Sequence, residues 1–474
     1  MTIDYRLHTS ILKIAVPSIL ANITIPLVGL VDMIIAGHIS TAWAIGGIAV
    51  GSMLFDLLYG CFGFLRVSTS GLAAQAYGAG QYDECGRLLV RSGSIALAGA
   101  LLIWLLQWVY LEAVLYVIPC TPQVAEFARA YFHIRIWAAP ATLMIMTCKG
   151  WFIGMQDGVR AMVVDLVVNG VNMLASYLLA VHTPLGAVGV AWGTLIAQWT
   201  GLIVALAMIA ISYAPTFVNQ SNRQSIVNGQ FVNRQLFDIR FVKLNTDLFI
   251  RSLCFIIVYV GWTSISSGYG DVELAASSLM MKLFMLFSFF VDGFAYAGEA
   301  LVGKTIGEVQ SSSLTSHSDS GRTSHSPAFK HLIRTLFGWG LGVGLLFSLL
   351  YGLFPDALFR SLTSDGEVVK TMHHYLVWLI MMPIVSMVAF MWDGIYAGAT
   401  QGKAIRNAML WAAFAFAATY LILSSLHPFI PSSLHPLIGA HALYMAYFAH
   451  LLARVIYLTQ KYPTLLSSID DLQQ

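Results

Sequence analysis

Apolar residues in this chain neither alternate nor recur on one face of an amphipathic helix. They run on for twenty residues and more between short polar breaks. About 20 residues at ~1.5 Å each cross a ~30 Å hydrocarbon core. Windows of that kind occur twelve times, near 11–37, 44–72, 89–111, 127–155, 160–181, 186–212, 246–268, 272–303, 329–354, 369–400, 404–426 and 434–458. Continuous runs without dyad alternation argue against barrel strands, and helices are the other element that satisfies its backbone inside lipid. The pattern predicts an all-α polytopic membrane protein with twelve transmembrane helices. The first run follows Arg6 and Lys13 as a secretory leader would. It is too long for a leader's apolar core and lacks a small-residue cleavage exit, so it is expected to stay as the first span.

The polar breaks give the direction of each span. With a cytoplasmic amino terminus, Arg6 and Lys13, Arg87 and Arg91, Arg160, Arg223 to Lys243, Lys304 to Arg334, Lys403 and Arg406, and Lys461 all fall on the cytoplasmic side, with Arg360 and Lys370 the exceptions. Positive charge gathers in cytoplasmic loops. Both termini are therefore expected to be cytoplasmic in a multi-pass protein of the cell (inner or plasma) membrane. Two breaks are longer. Residues 213–245 contain an Asn/Gln-rich stretch, Thr216–Asp238, and read as a cytoplasmic linker between six-helix lobes at 1–212 and 246–474. Residues 310–327, QSSSLTSHSDSGRTSHSP, cannot bury a core and are expected to be a disordered loop; a solvated linker is preferred over metal binding for their histidines.

Composition narrows the classes. Apolar residues are 58% of 474, charged residues 10%, and the formal net charge is +2. Mean hydropathy is +0.75. No basic block interleaved with aromatics suggests a nucleic-acid surface. Cys61, Cys85, Cys120, Cys148 and Cys254 form no C-x-x-C pair and read as small hydrophobes rather than disulfide partners or metal ligands. No H-E-x-x-H, loop metal motif or G-x-S-x-G is present, so neither an enzyme nor a resident cofactor is expected.

The halves repeat. Gly150, Gly154 and Gly158 at the end of the fourth span recur as Gly394, Gly398 and Gly402 at the end of the tenth. The exit of the second span, QAYGAGQ from Gln75, recurs as KTIGEVQ from Lys304. Six helices per half give both copies one orientation, related by an axis along the membrane normal, as in duplicated transporters. Close helix packing through small residues is the simpler reading of the glycines, and it is compatible with the repeat.

A carboxylate at membrane depth costs roughly 2.5–3.5 kcal/mol even on lenient scales, so Asp32 in IPLVGLVDMIIAGH demands a role. Asn169, Asn172 and Ser176 share one face of the fifth span, and Thr194 enters on the sixth at a similar depth. Asp32, Asn172, Ser176 and Thr194 can therefore converge as an ion or proton site; interhelical hydrogen bonding is the alternative for the uncharged three. Pro17 and Pro26 permit the first span to bend, or fix a static kink. In the second half, Asp292 and Glu299 lie two turns apart on the eighth span, which also carries Lys282. Asp393 stands where the repeat places Lys149. Lys149 can snorkel to the nearby end of its span or form a buried ion pair, with Asp32 as the expected partner in one conformational state.

These residues carry a resemblance. NITIPLVGLVDMIIAGHI, FLRVSTSGLAAQAYGA, GWFIGMQDGVRAM, DGFAYAGEA and DGIYAGATQGKAIRNAM together resemble the multidrug and toxic compound extrusion family, in its DNA-damage-inducible-F-like branch, over essentially the whole length. The resemblance implies two pseudo-symmetric six-helix lobes forming a V-shaped cavity, and export of organic, often cationic, small molecules in exchange for H⁺ or Na⁺. It implies that Asp32 is the coupling acid, with Asn172 and Thr194 as its amide and hydroxyl neighbours and Pro17 as the bending proline. Ser176 stands where many relatives place a second acid, and Lys149 where some place an asparagine. One carboxylate beside an ammonium is a poor sodium cage, which favours H⁺. The expected partners are organic cations and the lipid bilayer, with a monomer as the working unit. A flippase for lipid-linked sugars is the rival, but a strongly basic cavity for pyrophosphate is not evident.

Overall fold

The computed structural model describes residues 5–39, 42–118, 120–213, 239–315, 326–426 and 435–471. All regular structure among them is helical. Twelve helical stretches are long and apolar enough to cross a membrane, as the pattern predicts. Exposed Leu105, Trp108 and Val109 on the third of them suit contact with lipid.

The chain divides into two compact units, Val16–Asn245 and Met1–Ala15 with Thr246–Gln474. The first holds most of α1 (Tyr5–Ile39), then α2 (Ala42–Gly60), α3 (Phe64–Gly78), α4 (Tyr82–Val117), α5 (Pro122–Arg135), α6 (Ala139–Gly154), α7 (Gly158–His182) and α8 (Gly189–Ser212). The second holds all but the start of α9 (Ile239–Ser267), then α10 (Asp271–Thr315), α11 (Ser326–Leu353), α12 (Pro355–Leu362), α13 (Gly366–His374), α14 (Leu376–Gly398), α15 (Gly402–Leu426) and α16 (His435–Asp471). The opening turns of α1 belong to the second unit, where Trp339 Nε1 donates to His8 Nδ1 at 3.0 Å. Pro17 and Pro26 both lie inside α1, which stays helical through them.

Two expectations about the polar breaks change. Ile239–Asn245, inside the expected linker, already forms the first turns of α9, and 214–238 lie outside the described residues. The expected disordered loop at 310–327 begins with helix, because Gln310–Thr315 continue α10 and Ser326 starts α11; 316–325 lie outside the described residues. Helix propagation adds one hydrogen bond per residue fixed, so a long helix extends past the apolar window that identifies it.

Two crossings are broken. The second span is α2 and α3 joined by a turn at Cys61–Gly63, where Gly60 and Gly63 interrupt the apolar run. The fourth is α5 and α6, joined by a single tight turn at Ile136–Ala138 just before Pro140. Pro140 sits at the start of α6, where the amide it lacks has no helical partner.

The repeat is legible in the packing. A Cβ on Gly150 would land on the carbonyl oxygen of Arg66, and one on Gly154 on that of Ser70, so α6 lies directly on the α3 backbone. Gly394 and Gly398 meet the carbonyls of Ala295 and Glu299 in the same way, laying α14 on α10. Both helices end in one turn. The amide of Gln156 donates to the Ile153 carbonyl and that of Asp157 to Phe152, at 3.0 and 2.8 Å. The amides of Thr400 and Gln401 donate to Ala397 and Tyr396, each at 2.9 Å. Gln156 and Thr400 are the non-glycine residues with positive φ among those described, at 64° and 54°.

Candidate functional site

The amino-terminal unit builds its polar centre from α1, α7 and α8. Gly193 rests on the Ser176 backbone and Gly189 on that of Ala180, so α8 approaches α7 without intervening side chains. That proximity lets Asn172 Nδ2 donate to Thr194 Oγ1 at 2.9 Å, while Thr194 donates to the Val190 carbonyl at 3.1 Å. Ser176 Oγ lies 3.5 Å from both Asn172 Oδ1 and the Val190 carbonyl. Asn169 donates to Thr24 and ties α7 to α1. About two turns further along both helices, Asp32 faces the Ser176 hydroxyl. Asp32, Asn172, Ser176 and Thr194 are all buried, and Asp32 Oδ1 has no hydrogen-bond partner. The convergence expected from spacing therefore occurs.

The charge opposite Asp32 is not the expected one. Lys149 Nζ lies 2.7 Å from Asp165 Oδ1, an ion pair between α6 and α7, so the expected Lys149–Asp32 bridge is absent here. The guanidinium acting on Asp32 is Arg135, at the end of α5. Arg135 donates to the Tyr131 hydroxyl at 3.0 Å, lies over the Phe55 ring at 4.7 Å, and leaves its Nε without a hydrogen bond. It also feels Asp56 and Tyr59 from α2, so Asp32 is not the only acid acting on this cation. An arginine so far into an apolar run is expensive, and that cost is the signal in FHIRIWAAP that spacing arguments overlooked.

The carboxy-terminal unit holds the remaining candidates. Asp292 is half-buried and Glu299 buried on α10, while Lys282 is exposed on the same helix and is not gathered with them. Asp393 Oδ2 accepts from Arg251 Nη2 at 2.9 Å and from Arg454 Nη2 at 2.6 Å. Asp247 Oδ1 accepts from Arg406 Nη1 at 2.5 Å. None of these arginines was anticipated as a partner, because each sits on another helix. No group of three or more His, Cys, Asp or Glu able to hold a metal occurs among the described residues.

At the end of α8, Asp157 caps α7, accepts from the Tyr213 hydroxyl at 2.8 Å and pairs with Arg160. Burial, and then this hydrogen bond to a carboxylate, hold the Tyr213 phenol above its ordinary titration range.

The MatE family model matches residues 17–178. DNA damage-inducible protein F of Escherichia coli (strain K12) is 32% identical over 434 residues, covering 91% of this chain and 87% of that protein. Multidrug and toxin extrusion protein 1 of Homo sapiens is 23% identical, covering 76% of this chain and 59% of that one. Among solved structures, an outward-facing multidrug resistance MATE family transporter of the MOP superfamily superposes with a TM-score of 0.80 at 14% identity, covering 99% of each chain. A MOP superfamily transporter from Pyrococcus furiosus superposes with a TM-score of 0.79 at 14% identity, covering 98% of this chain and 96% of that one.

Proposed function

Because this chain belongs to the multidrug and toxic compound extrusion family, in its DNA-damage-inducible-F-like branch, we propose that it exports organic small molecules, cations among them, by alternating access in exchange for protons. Members of the family are transporters, not enzymes, and the twelve spans fit a multi-pass membrane protein. The observation that carries proton coupling is the buried Asp32 carboxylate with one unbonded oxygen, set among the hydroxyls and amide of Ser176, Asn172 and Thr194. A proton on that carboxyl needs no further ligand. Sodium would need several oxygens, and Arg135 supplies competing positive charge. Pro17 and Pro26 give α1 places where a change at Asp32 can alter helix shape. Asp292, Glu299 and Asp393 remain candidate groups of the second unit, and Asp393 there is paired with Arg251 and Arg454.

The test is dye efflux from proteoliposomes with proton and sodium gradients imposed separately. Wild type should respond to the proton gradient alone, and Asp32→Asn should abolish that response with protein level and melting temperature retained. Efflux driven by sodium at uniform pH would overturn proton coupling.

A further inference from the structure

The carboxy-terminal unit holds a charge cluster that proton coupling at Asp32 does not use. Arg251 on α9 and Arg454 on α16 both donate to a single atom, Asp393 Oδ2 on α14. A guanidinium carries five N–H donors and pairs best with a carboxylate through two parallel bonds. Here each arginine spends one donor on a shared oxygen, and the Nε of each is buried without a hydrogen bond. The Arg454 side chain is 5% exposed and that of Asp393 12%, whereas Arg251 is 26% exposed. Among the ion pairs of the described residues, two guanidiniums thus share one carboxylate. Arg406, the other arginine paired in this unit, is already matched by Asp247. Arg454 lies over the Phe390 ring at 5.7 Å, and the buried His450 near it leaves Nδ1 unbonded. Arg251 is five residues, or ~8 Å, inside the apolar window that begins near residue 246, so the charge lies within a span. Uncompensated charge at such depth is costly unless an opposite charge joins it.

We propose that Arg251, Arg454 and Asp393 form an anion-binding site in the carboxy-terminal unit, which takes the carboxylate of an organic anion or zwitterion. Arg251 is the accessible donor, Arg454 the buried one, and Asp393 the fixed counter-ion that holds both guanidiniums side by side. The planar two-toothed edge that each arginine leaves unspent matches a second carboxylate better than a spherical ion. The site rests on the export reading only for the source of that carboxylate, a transported compound.

The test uses the full chain in lipid nanodiscs, with 5-carboxyfluorescein anisotropy as the binding signal and benzoate as the competitor at constant ionic strength. Wild type should bind the dye, benzoate should displace it, and benzoate should raise the melting temperature. Arg251→Gln should weaken dye binding tenfold or more and remove the benzoate-induced shift, while Arg251→Lys should fall between the two. Arg454→Gln should weaken binding further if it folds; the partly exposed Arg251 carries the test if it does not. No binding by wild type, or equal affinity in Arg251→Gln, would overturn the site and leave the cluster a structural clamp. Chloride displacing the dye as effectively as benzoate would assign the site to an inorganic anion and overturn the carboxylate. Cationic-dye efflux through Asp32, measured on the same protein, can fail without affecting anion binding, so the two readings separate.

Discussion

At the scale of single residues, buried charges are defined by their partners. Lys149 and Asp165 stabilise each other at 2.7 Å with side chains 22% and 15% exposed, so Lys149→Ala strands a mostly buried carboxylate. We expect it to lower stability by about 2 kcal/mol, with Lys149→Met/Asp165→Leu recovering most of the loss, because an apolar pair of similar volume replaces a buried ion pair at little cost. Thermal unfolding in detergent reads this, and an unchanged melting temperature in Lys149→Ala would count against the pair. Arg135→Gln should alter the pH dependence of efflux while Lys149→Ala leaves it in place, since Arg135 is the cation that Asp32 feels; the reverse result would restore Lys149 as the partner. Asp32, Asn172, Ser176 and Thr194 were legible in the sequence because helical spacing places them on facing stripes. Arg135, Asp165, Arg251 and Arg454 were not. Their partners come from other helices, up to 142 residues away for Arg251 and Asp393, and spacing along one helix carries no record of such pairs.

At the scale of elements, one turn recurs three times. The exit of α3 has the bonding pattern of the α6 and α14 exits, with the Gly80 amide donating to Tyr77 and that of Gln81 to Ala76, and Gly80 takes the positive φ of 70°. Gln156 and Thr400 occupy that left-handed position with side chains that resist it. Thr400→Gly should raise stability by about 1 kcal/mol and Gln156→Gly by less, because a β-branched residue tolerates positive φ worst. Gly80→Ala should lower stability, and differential scanning calorimetry would order the three. At the helix contacts, Gly150→Ala and Gly394→Ala should each cost about 1–3 kcal/mol, since the added methyl meets backbone that cannot rotate away. The glycines were visible in the sequence as an offset match. What they touch was not, because the α3 and α10 carbonyls beneath them lie in distant segments. The break between α2 and α3 had its signal in Gly60 and Gly63, inside a run whose length made it look like one helix.

At the scale of the molecule, twelve crossings bring both chain ends to one side, and the loop charges predict that side to be cytoplasmic. Tags at residue 1 and after residue 474 should be protease-sensitive only in inverted vesicles, while a cysteine introduced at Arg360 in an otherwise cysteine-free variant should react with an impermeant maleimide on intact cells; the opposite pattern would reverse the orientation. The span count was the most legible property of the chain, because hydrocarbon thickness imposes a length that composition cannot disguise. The charge reversal at matched positions carries a historical consequence. Lys149 faces Asp165, and Asp393 faces Arg251 and Arg454. If both copies descend from one ancestral half, then exchanging either residue for its counterpart today would bury like charges together. Divergence at this position therefore required compensating changes on other helices, and each half is now committed to its own charge sign. A chimera that exchanges α6 and α14 alone should fail to assemble unless those partners travel with them.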